Sequence, residues 1–344
     1  MTLSKGRNPM TKLIYVDDDM PGITRKGAGR GFAYYDPKGR LITDQAEKDR
    51  LNAIALPPAY TDEWYCPAPN GHILATGYDA RGRKQYRYHP DFRAQQESEK
   101  FDRCAAFGNL LPLIRDRVAK DLRSPNLTRE RALASVVRLL DTGSIRIGNE
   151  GYTRENKSFG ATTLRRKHAE VKGRSLVLRF TAKGGKRREM RVTDGSLANF
   201  VKRMQDLPGQ HLFQFLDEDG DPHPIDSSDV NEYLRETMGE AFTAKDFRTW
   251  HASVIGLGEL AAAEGELTIK ALTTEVGERL GNTPAMARKS YIHPAVIALV
   301  GRQEKWRARL RMPRKTKWHS REERALIELL EHAPSAAELL SLAG

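Results

Sequence analysis

The spacing of apolar residues changes near residue 90, and that change divides the chain. Before it, short runs rich in β-branched and aromatic residues alternate with turn signals, the pattern of strands. Phe32, Ala33, Tyr34 and Tyr35 lead into Asp36-Pro37-Lys38-Gly39, with Leu41 and Ile42 returning. A short helical piece over Glu47 to Ile54 is stopped by Pro57-Pro58. Residues 63–66 and 72–75 flank a turn containing Asn70-Gly71, a strong hairpin signal. In the stretch Gly82 to Tyr88, Gln85 alternates with Arg87 and Tyr86 with Tyr88, so a strand puts both tyrosines on one face.

From Asp91 the period is mostly helical. Leu133, Val136, Val137 and Leu140 follow the i, i+3, i+4, i+7 rule over Arg129 to Leu140, and the helix should stop at Asp141-Thr142-Gly143. One interruption is strand-like: Leu176, Leu178 and Phe180 alternate, Arg187 to Val192 can return beside them, and Thr181 to Lys186 connects the two. Helices then follow over Leu197 to Leu207, ended by Pro208-Gly209, and over Ser228 to Met238, closed by Gly239. Another opens at Lys245 and runs to Ala263, and Leu272, Val276 and Leu280 mark the next. Thr283 can cap a short helix with Pro284 at its first position, carrying Arg288, Lys289 and Tyr291. The pair His293-Pro294 ends that helix or starts another. The pattern predicts an α+β protein in three parts: a small β-rich N-terminal domain over 1–90, a larger, mainly α-helical domain over 91–312 with one β-hairpin, and a basic tail over 313–344 with a terminal helix.

Composition adds a partner. The chain has 344 residues, enough for two domains each with a core, and a formal charge of +12 spread along its length. Such a balance suggests a polyanion, most simply nucleic acid. Cys66 and Cys104 are far apart and lack metal-ligand spacing, so a disulfide framework is not expected and a reducing compartment fits. Met-Thr-Leu-Ser-Lys-Gly-Arg at the N-terminus is followed by no apolar signal core, and no apolar run reaches membrane-spanning length. The expectation is a soluble, cytoplasmic protein with no membrane association. The acidic loop Asp217 to Asp221 resembles part of a calcium site without the remaining ligand spacing, and reads as a solvated turn.

Within this frame a few residues carry candidate chemistry. Arg146 lies between Ile145 and Ile147 just past a helix end, so it should be partly buried and needs an anionic partner. Glu150 could be that partner, and so could a substrate phosphate. Arg248 sits among aromatic residues and poses the same question. Lys183 occupies a glycine-bearing hairpin tip, from which it can swing towards a ligand or remain solvated. Tyr291 stands among cations beside a helix start, where a phosphate is readily met. In the basic strand, Gln85 can read base edges, while Arg83 and Lys84 can hold phosphates.

Taken in order, Gly82-Arg83-Lys84-Gln85-Tyr86-Arg87-Tyr88, Arg146-Ile147-Gly148-Asn149-Glu150 with Tyr152, Lys183 after Phe180, Lys245-Asp246-Phe247-Arg248-Thr249, and Gly281-Asn282-Thr283-Pro284 ahead of Tyr291 resemble the type IB DNA topoisomerases, in the compact poxvirus-like form found in bacteria. The resemblance covers roughly Tyr15 to His293. It implies the topoisomerase IB/tyrosine recombinase type of catalytic domain, with the two domains of a monomer closing as a clamp around double-stranded DNA on the nucleoid. It implies that Tyr291 attacks a phosphodiester to form a 3′-phosphotyrosyl bond and release a 5′-hydroxyl. Arg146 and Arg248 would hold the charge of the transition state, and Lys183 would protonate the leaving oxygen. Many relatives carry histidine where this chain has Asn282, which can donate a hydrogen bond but cannot titrate. Gln85, Tyr86 and Tyr88 resemble DNA-contacting residues, and Tyr152 and Lys245 resemble residues near the scissile phosphate. Neither ATP nor metal nor any other cofactor is implied, since the covalent bond stores the energy for religation. Two rivals remain: a tyrosine recombinase, which usually has histidine where Lys245 stands, and a DNA-binding relative without activity.

Overall fold

The computed structural model describes residues 12–29, 31–207, 209–239 and 242–342. The expectations for the N-terminal Met1 to Arg7 and for Pro208 as a helix terminator lie outside the described residues. The chain forms two compact units, Met1–Ser98 and Glu99–Gly344. The first is small and β-rich and the second is larger and mainly helical, the α+β class that the apolar spacing predicts.

In the smaller unit, β1 (Thr24–Ala28) pairs antiparallel with β2 (Gly31–Tyr35), and helix α1 (Gln45–Ala53) follows, capped by the Asp44 side chain on Glu47 N–H. Strands β3 (Thr61–Tyr65), β4 (Ile73–Tyr78) and β5 (Lys84–Tyr88) make an antiparallel sheet in that order. Ile23 and Tyr65 exchange both backbone hydrogen bonds, at 2.9 and 2.8 Å, which joins the first ladder to the second. Ile23, Tyr34, Leu51, Leu56, Tyr65 and Ala75 form the core beneath. Arg25 is buried there and bonded to Glu63 and to the carbonyls of Leu56 and Pro57. The turn at Asp36 to Gly39 forms as expected, but Leu41 returns only as a single bridge to Tyr35. The ladder partner of β2 is β1, whose Thr-Arg-Lys-Gly-Ala sequence is too polar to signal a strand.

Helix α2 (Pro90–Asp102) leads into the larger unit. There α3 (Cys104–Asp121) and α4 (Arg129–Gly143) pack on each other, and α4 is buried along most of its length. After α5 (Glu150–Asn156), strands β6 (Ala169–Lys172), β7 (Ser175–Thr181) and β8 (Arg187–Thr193) form an antiparallel sheet in sequence order. Leu176, Leu178, Phe180 and Val192 are buried on its inner face, and α6 (Gly195–Gln205) packs against β6 and β7. A two-stranded ladder, β9 (Gln214–Leu216) with β10 (Pro222–Pro224), encloses the acidic turn. Asp217 Oδ1 accepts there from the N–H groups of Asp219 and Asp221, and its other oxygen meets His223.

Helices α7 (Ser227–Met238), α8 (Ala244–Ala262) and α9 (Ile269–Leu280) complete the core, with Trp250 of α8 fully buried. Short α10 (Pro284–Ser290) and α11 (Pro294–Leu299) follow, then α12 (Gln303–Arg309), α13 (Arg321–Glu331) and α14 (Ala336–Leu342). Helix α13 packs on α3 and α8, burying Ala325 and Leu326. Arg115 of α3 bonds both Asp141 and Glu323, and Glu323 also accepts from the Trp250 indole N–H. Cys66 and Cys104 are free and buried. Among the described residues no helix is long and apolar enough to cross a membrane.

Candidate active site

Four segments of the larger unit converge on Tyr291. The first is the extended run after α4. Ser144 ends the helix in the left-handed region, at φ 48°, and turns the chain so that Ile145 is buried while Arg146 is half-buried. The backbone of this run is pinned by the turn that follows α5: Ala161 N–H donates to Arg146 O at 2.8 Å and Thr162 N–H to Ile147 O at 2.7 Å. The second is α8, which carries the buried Arg248. The third is the C-terminus of α9, where Gly281 at φ 69° swings the chain to Asn282. The fourth is the α10–α11 junction. Thr283 and Pro284 start α10 as expected, but that helix ends at Ser290, so Tyr291 is its capping residue rather than a helical one. His293 caps α11, its Nδ1 accepting from Ala295 N–H at 3.1 Å.

These segments answer the question of partners. Glu150 does not hold Arg146, because it pairs with Arg165. Arg146 instead donates from Nη1 to the Tyr291 hydroxyl at 3.2 Å and from Nη2 to Asn282 Oδ1 at 2.5 Å. Among the described residues Arg248 has no carboxylate partner either. It donates to the carbonyls of Ser144 and Leu280, and its guanidinium carbon lies 5.0 Å from the centre of the Tyr291 ring. Arg248 Nε and Asn282 Nδ2 are buried donors with no hydrogen-bond partner among the described residues. Cationic groups with carbonyl and hydroxyl partners leave net positive charge in a mostly buried place, which calls for an anion.

Titration follows from this packing. Burial, and then the charge of Arg146, push the Arg248 guanidinium down to about 10, so it is still charged at neutral pH. Burial pushes the Tyr291 phenol up, but the charges of Arg146 and Arg248 outweigh it and hold the phenol below its ordinary value. A lowered phenol pKa raises the phenolate fraction near neutrality and so favours nucleophilic attack.

Two adjoining clefts, of about 520 and 330 Å³, share Arg146, Phe159 and Lys183 on their walls. The smaller also takes in Tyr152, Lys245, Arg248 and Tyr291, and the larger Asn282. Lys183 stands exposed on the β7–β8 turn, its Nζ 5.6 Å from the Tyr152 ring centre, and Gly184 and Gly185 beyond it take φ of 78° and 75°. Lys245 is exposed at the first turn of α8. The five residues Arg146, Lys183, Arg248, Asn282 and Tyr291, with Tyr152 and Lys245, therefore line one pair of clefts.

The other group of candidates lies in the smaller unit on β5. Tyr86 and Tyr88 stack at 5.7 Å with ring planes 9° apart, both exposed, which is the shared face that the alternation implies. Arg83 and Gln85 bond Asp79, and Lys84 bonds Asp18, so both cations already have carboxylate partners. Among the described residues, the one acidic trio close enough to share a cation is Asp17, Asp18 and Asp19, and Asp18 is already engaged by Lys84 and Thr76.

Sequence reasoning missed Arg188. Its fork donates to the carbonyls of Leu280 at 3.3 Å, Gly143 at 2.9 Å and Arg279 at 3.1 Å, and it lines the larger cleft. The signal was present in the alternation, since Arg188 falls on the inward face of β8 with Met190 and Val192. His251, bonded to the Ser144 hydroxyl at 3.0 Å, was also missed, and no spacing pointed to it.

The family described as "Eukaryotic DNA topoisomerase I, catalytic core" matches residues 89–295, and that described as "Bacterial DNA topoisomerase IB, N-terminal domain" matches residues 31–79. The DNA topoisomerase 1B of Acanthamoeba polyphaga mimivirus is 32% identical over 289 residues, which cover 79% of this chain and 85% of that protein. The DNA topoisomerase 1B of vaccinia virus (strain Copenhagen) is 24% identical over 234 residues, covering 66% and 72%. The DNA topoisomerase 1 of Mycosarcoma maydis is 29% identical over 192 residues, covering 51% of this chain and 19% of that one. A catalytic-core match over more than half of the chain, and likeness to the mimivirus protein along most of both sequences, agree with a tyrosine held between two arginines: this protein belongs to the type IB DNA topoisomerases.

Proposed function

We propose that the protein relaxes supercoiled duplex DNA by cutting one strand through Tyr291, letting it rotate and resealing it, without ATP or a metal ion. In the forward step the Tyr291 oxygen bonds to phosphorus and its proton leaves to solvent. The bond from phosphorus to O5′ breaks, and the freed oxygen takes a proton from Lys183. The chain is then joined to the 3′-phosphate and a 5′-hydroxyl is released. Religation reverses these transfers, and the ester energy held in the phosphotyrosyl bond is the reason no other energy source enters the reading.

One observation carries it. Arg146 bonds the Tyr291 hydroxyl and Arg248 lies over its ring, and among the described residues no carboxylate pairs with either, while Arg248 Nε and Asn282 Nδ2 are buried without acceptors. A phosphodiester's non-bridging oxygens supply the missing charge and the missing acceptors together. The guanidinium forks match such oxygens and strengthen as charge builds in the pentavalent transition state. Asn282 needs no proton for this role, since an amide N–H suffices. Lys183 as general acid is supported by its place on the wall shared by both clefts. We propose Tyr152 and Lys245 as backbone contacts beside the scissile phosphate, and Gln85, Tyr86, Tyr88, Arg83 and Lys84 as contacts of the smaller unit. The protein would act as a monomer, its two units closing around the duplex.

The test is relaxation of supercoiled plasmid in excess EDTA without ATP, beside Tyr291→Phe. Relaxation by the wild type alone is the expected result. Equal relaxation by both proteins removes Tyr291 from the reading, and binding by both without relaxation favours a DNA-binding relative without activity.

A further inference from the structure

We infer that Arg188 is a positioning residue for Lys183, locking the hairpin that carries the lysine to the walls that carry Arg146 and Asn282. The inference rests on the reading of Lys183 as general acid.

Lys183, Gly184 and Gly185 form the exposed tip between β7 and β8, and both glycines lie at positive φ. Such a tip has wide conformational freedom of its own and needs an anchor to hold an ammonium within proton-transfer distance. The ladder supplies part of the anchoring. Ala182 N–H donates to Lys186 O at 2.7 Å, and Thr181 pairs with Arg187. These bonds fix the two strands to each other and not to the rest of the cleft.

Phe159 N–H ties β7 to the cleft wall by donating to Thr181 O at 2.8 Å, and Arg188 makes the connection from β8. It sits opposite Phe180 in the ladder, five residues after Lys183, and its side chain points into the unit. Its Nη2 donates to Gly143 O, at the end of α4 and three residues before Arg146, and to Arg279 O. Its Nη1 donates to Leu280 O, the same carbonyl that accepts from Arg248 Nη2 and that lies two residues before Asn282. One planar fork thus joins the lysine hairpin to the segments of Arg146 and Asn282, and shares an acceptor with Arg248. The C-terminal carbonyls of α9 are suited to the task, because the negative end of the helix dipole lies there. Burial and the nearby Arg146 charge push the Arg188 guanidinium below its ordinary value, consistent with a cation held by carbonyls alone. A lysine in its place retains the charge but not the three-way fork.

The test separates positioning of the acid from general damage by changing the leaving group. A thiolate leaves without needing a proton, so a duplex with sulfur in place of the bridging 5′-oxygen bypasses the general acid. Single-turnover cleavage of both duplexes is measured for wild type, Lys183→Ala, Arg188→Met and Arg188→Lys. The rate ratio between the two leaving groups is read within one preparation, so the amount of folded enzyme cancels. On the oxygen substrate Arg188→Met should lose roughly 10²-fold, the cost of misplacing a reacting group by about 1 Å, and on sulfur it should regain a rate within about threefold of wild type. Arg188→Lys should show the same selective rescue. An equal deficit on both leaving groups in Lys183→Ala overturns the reading of Lys183, and this inference with it. Rescue of Lys183→Ala, but not of either Arg188 variant, overturns the inference alone. An unchanged oxygen rate in Arg188→Met does so too.

Discussion

Replacing Gly160 by alanine tests how tightly the backbone must hold Arg146. Gly160 lies at φ −136°, extended backbone that any residue adopts, so the cost of the substitution is in its contacts. A Cβ there would stand 2.5 Å from Gly148 N and 2.6 Å from both Arg146 O and Gly148 Cα. All three are backbone atoms, so no side chain can rotate away. Reaching an ordinary contact of 3.4 Å requires a displacement of about 0.9 Å between the two segments. That movement strains the bonds from Ala161 and Thr162 that hold residues 146 and 147. Overpacking of this kind costs about 1–3 kcal/mol, which a domain with about 5–15 kcal/mol in hand survives. A shift near 1 Å at a reacting group costs about 10²-fold in rate. Gly160→Ala should therefore relax plasmid about a hundredfold more slowly while remaining folded at 25 °C. Initial relaxation rates and thermal melts, beside Gly27→Ala, whose added Cβ meets open space, make the comparison. Relaxation within threefold of wild type by a normally melting Gly160→Ala would refute the argument.

Two further predictions concern stability. Glu323→Ala should destabilise the larger unit by about 3–5 kcal/mol, because it leaves Arg115 short of a partner in a mostly buried site and the Trp250 indole N–H without its acceptor; a melting temperature within a degree of wild type would contradict this. Burial lowers the His293 imidazole to about 4, so the unfolded chain, with histidine near 6.5, binds the extra proton between those values. Stability should therefore fall as pH drops from about 6.5 to about 4, by about 3 kcal/mol from this residue, and be fully present above 6.5. His293→Asn keeps an N-capping side chain and removes the titration, so its stability-against-pH curve should be flatter by one proton; an unchanged slope assigns the acid loss elsewhere.

Much of the site was legible because its chemistry is local in sequence. An arginine between two isoleucines and an arginine among aromatics announce themselves as buried cations, and the helix start at Thr283-Pro284 locates Tyr291 to within a turn. The partners were not legible. Glu150 is close to Arg146 in sequence and pairs with Arg165, while Asn282, 136 residues away, takes its place. Long-range closure decides such pairings, and no periodicity encodes it. Strand β1 was missed for a related reason. Its polar sequence is held by the Ile23–Tyr65 bridge and by Arg25 packing on Phe32, which are tertiary contacts rather than propensity.

Arg188 and Arg248 lean on main-chain oxygens where carboxylates would have been the common choice. Carboxylates titrate and carbonyls do not. Acid that would discharge an aspartate or glutamate leaves the anchors of Arg188 and Arg248 untouched, so the lower pH limit of activity has to be set away from them. Nor can a substitution at Gly143, Ser144, Arg279 or Leu280 delete an anchor outright, since every amino acid brings its own carbonyl. Those two cations are thereby protected from a change of pH and a change of codon, either of which can break a salt bridge.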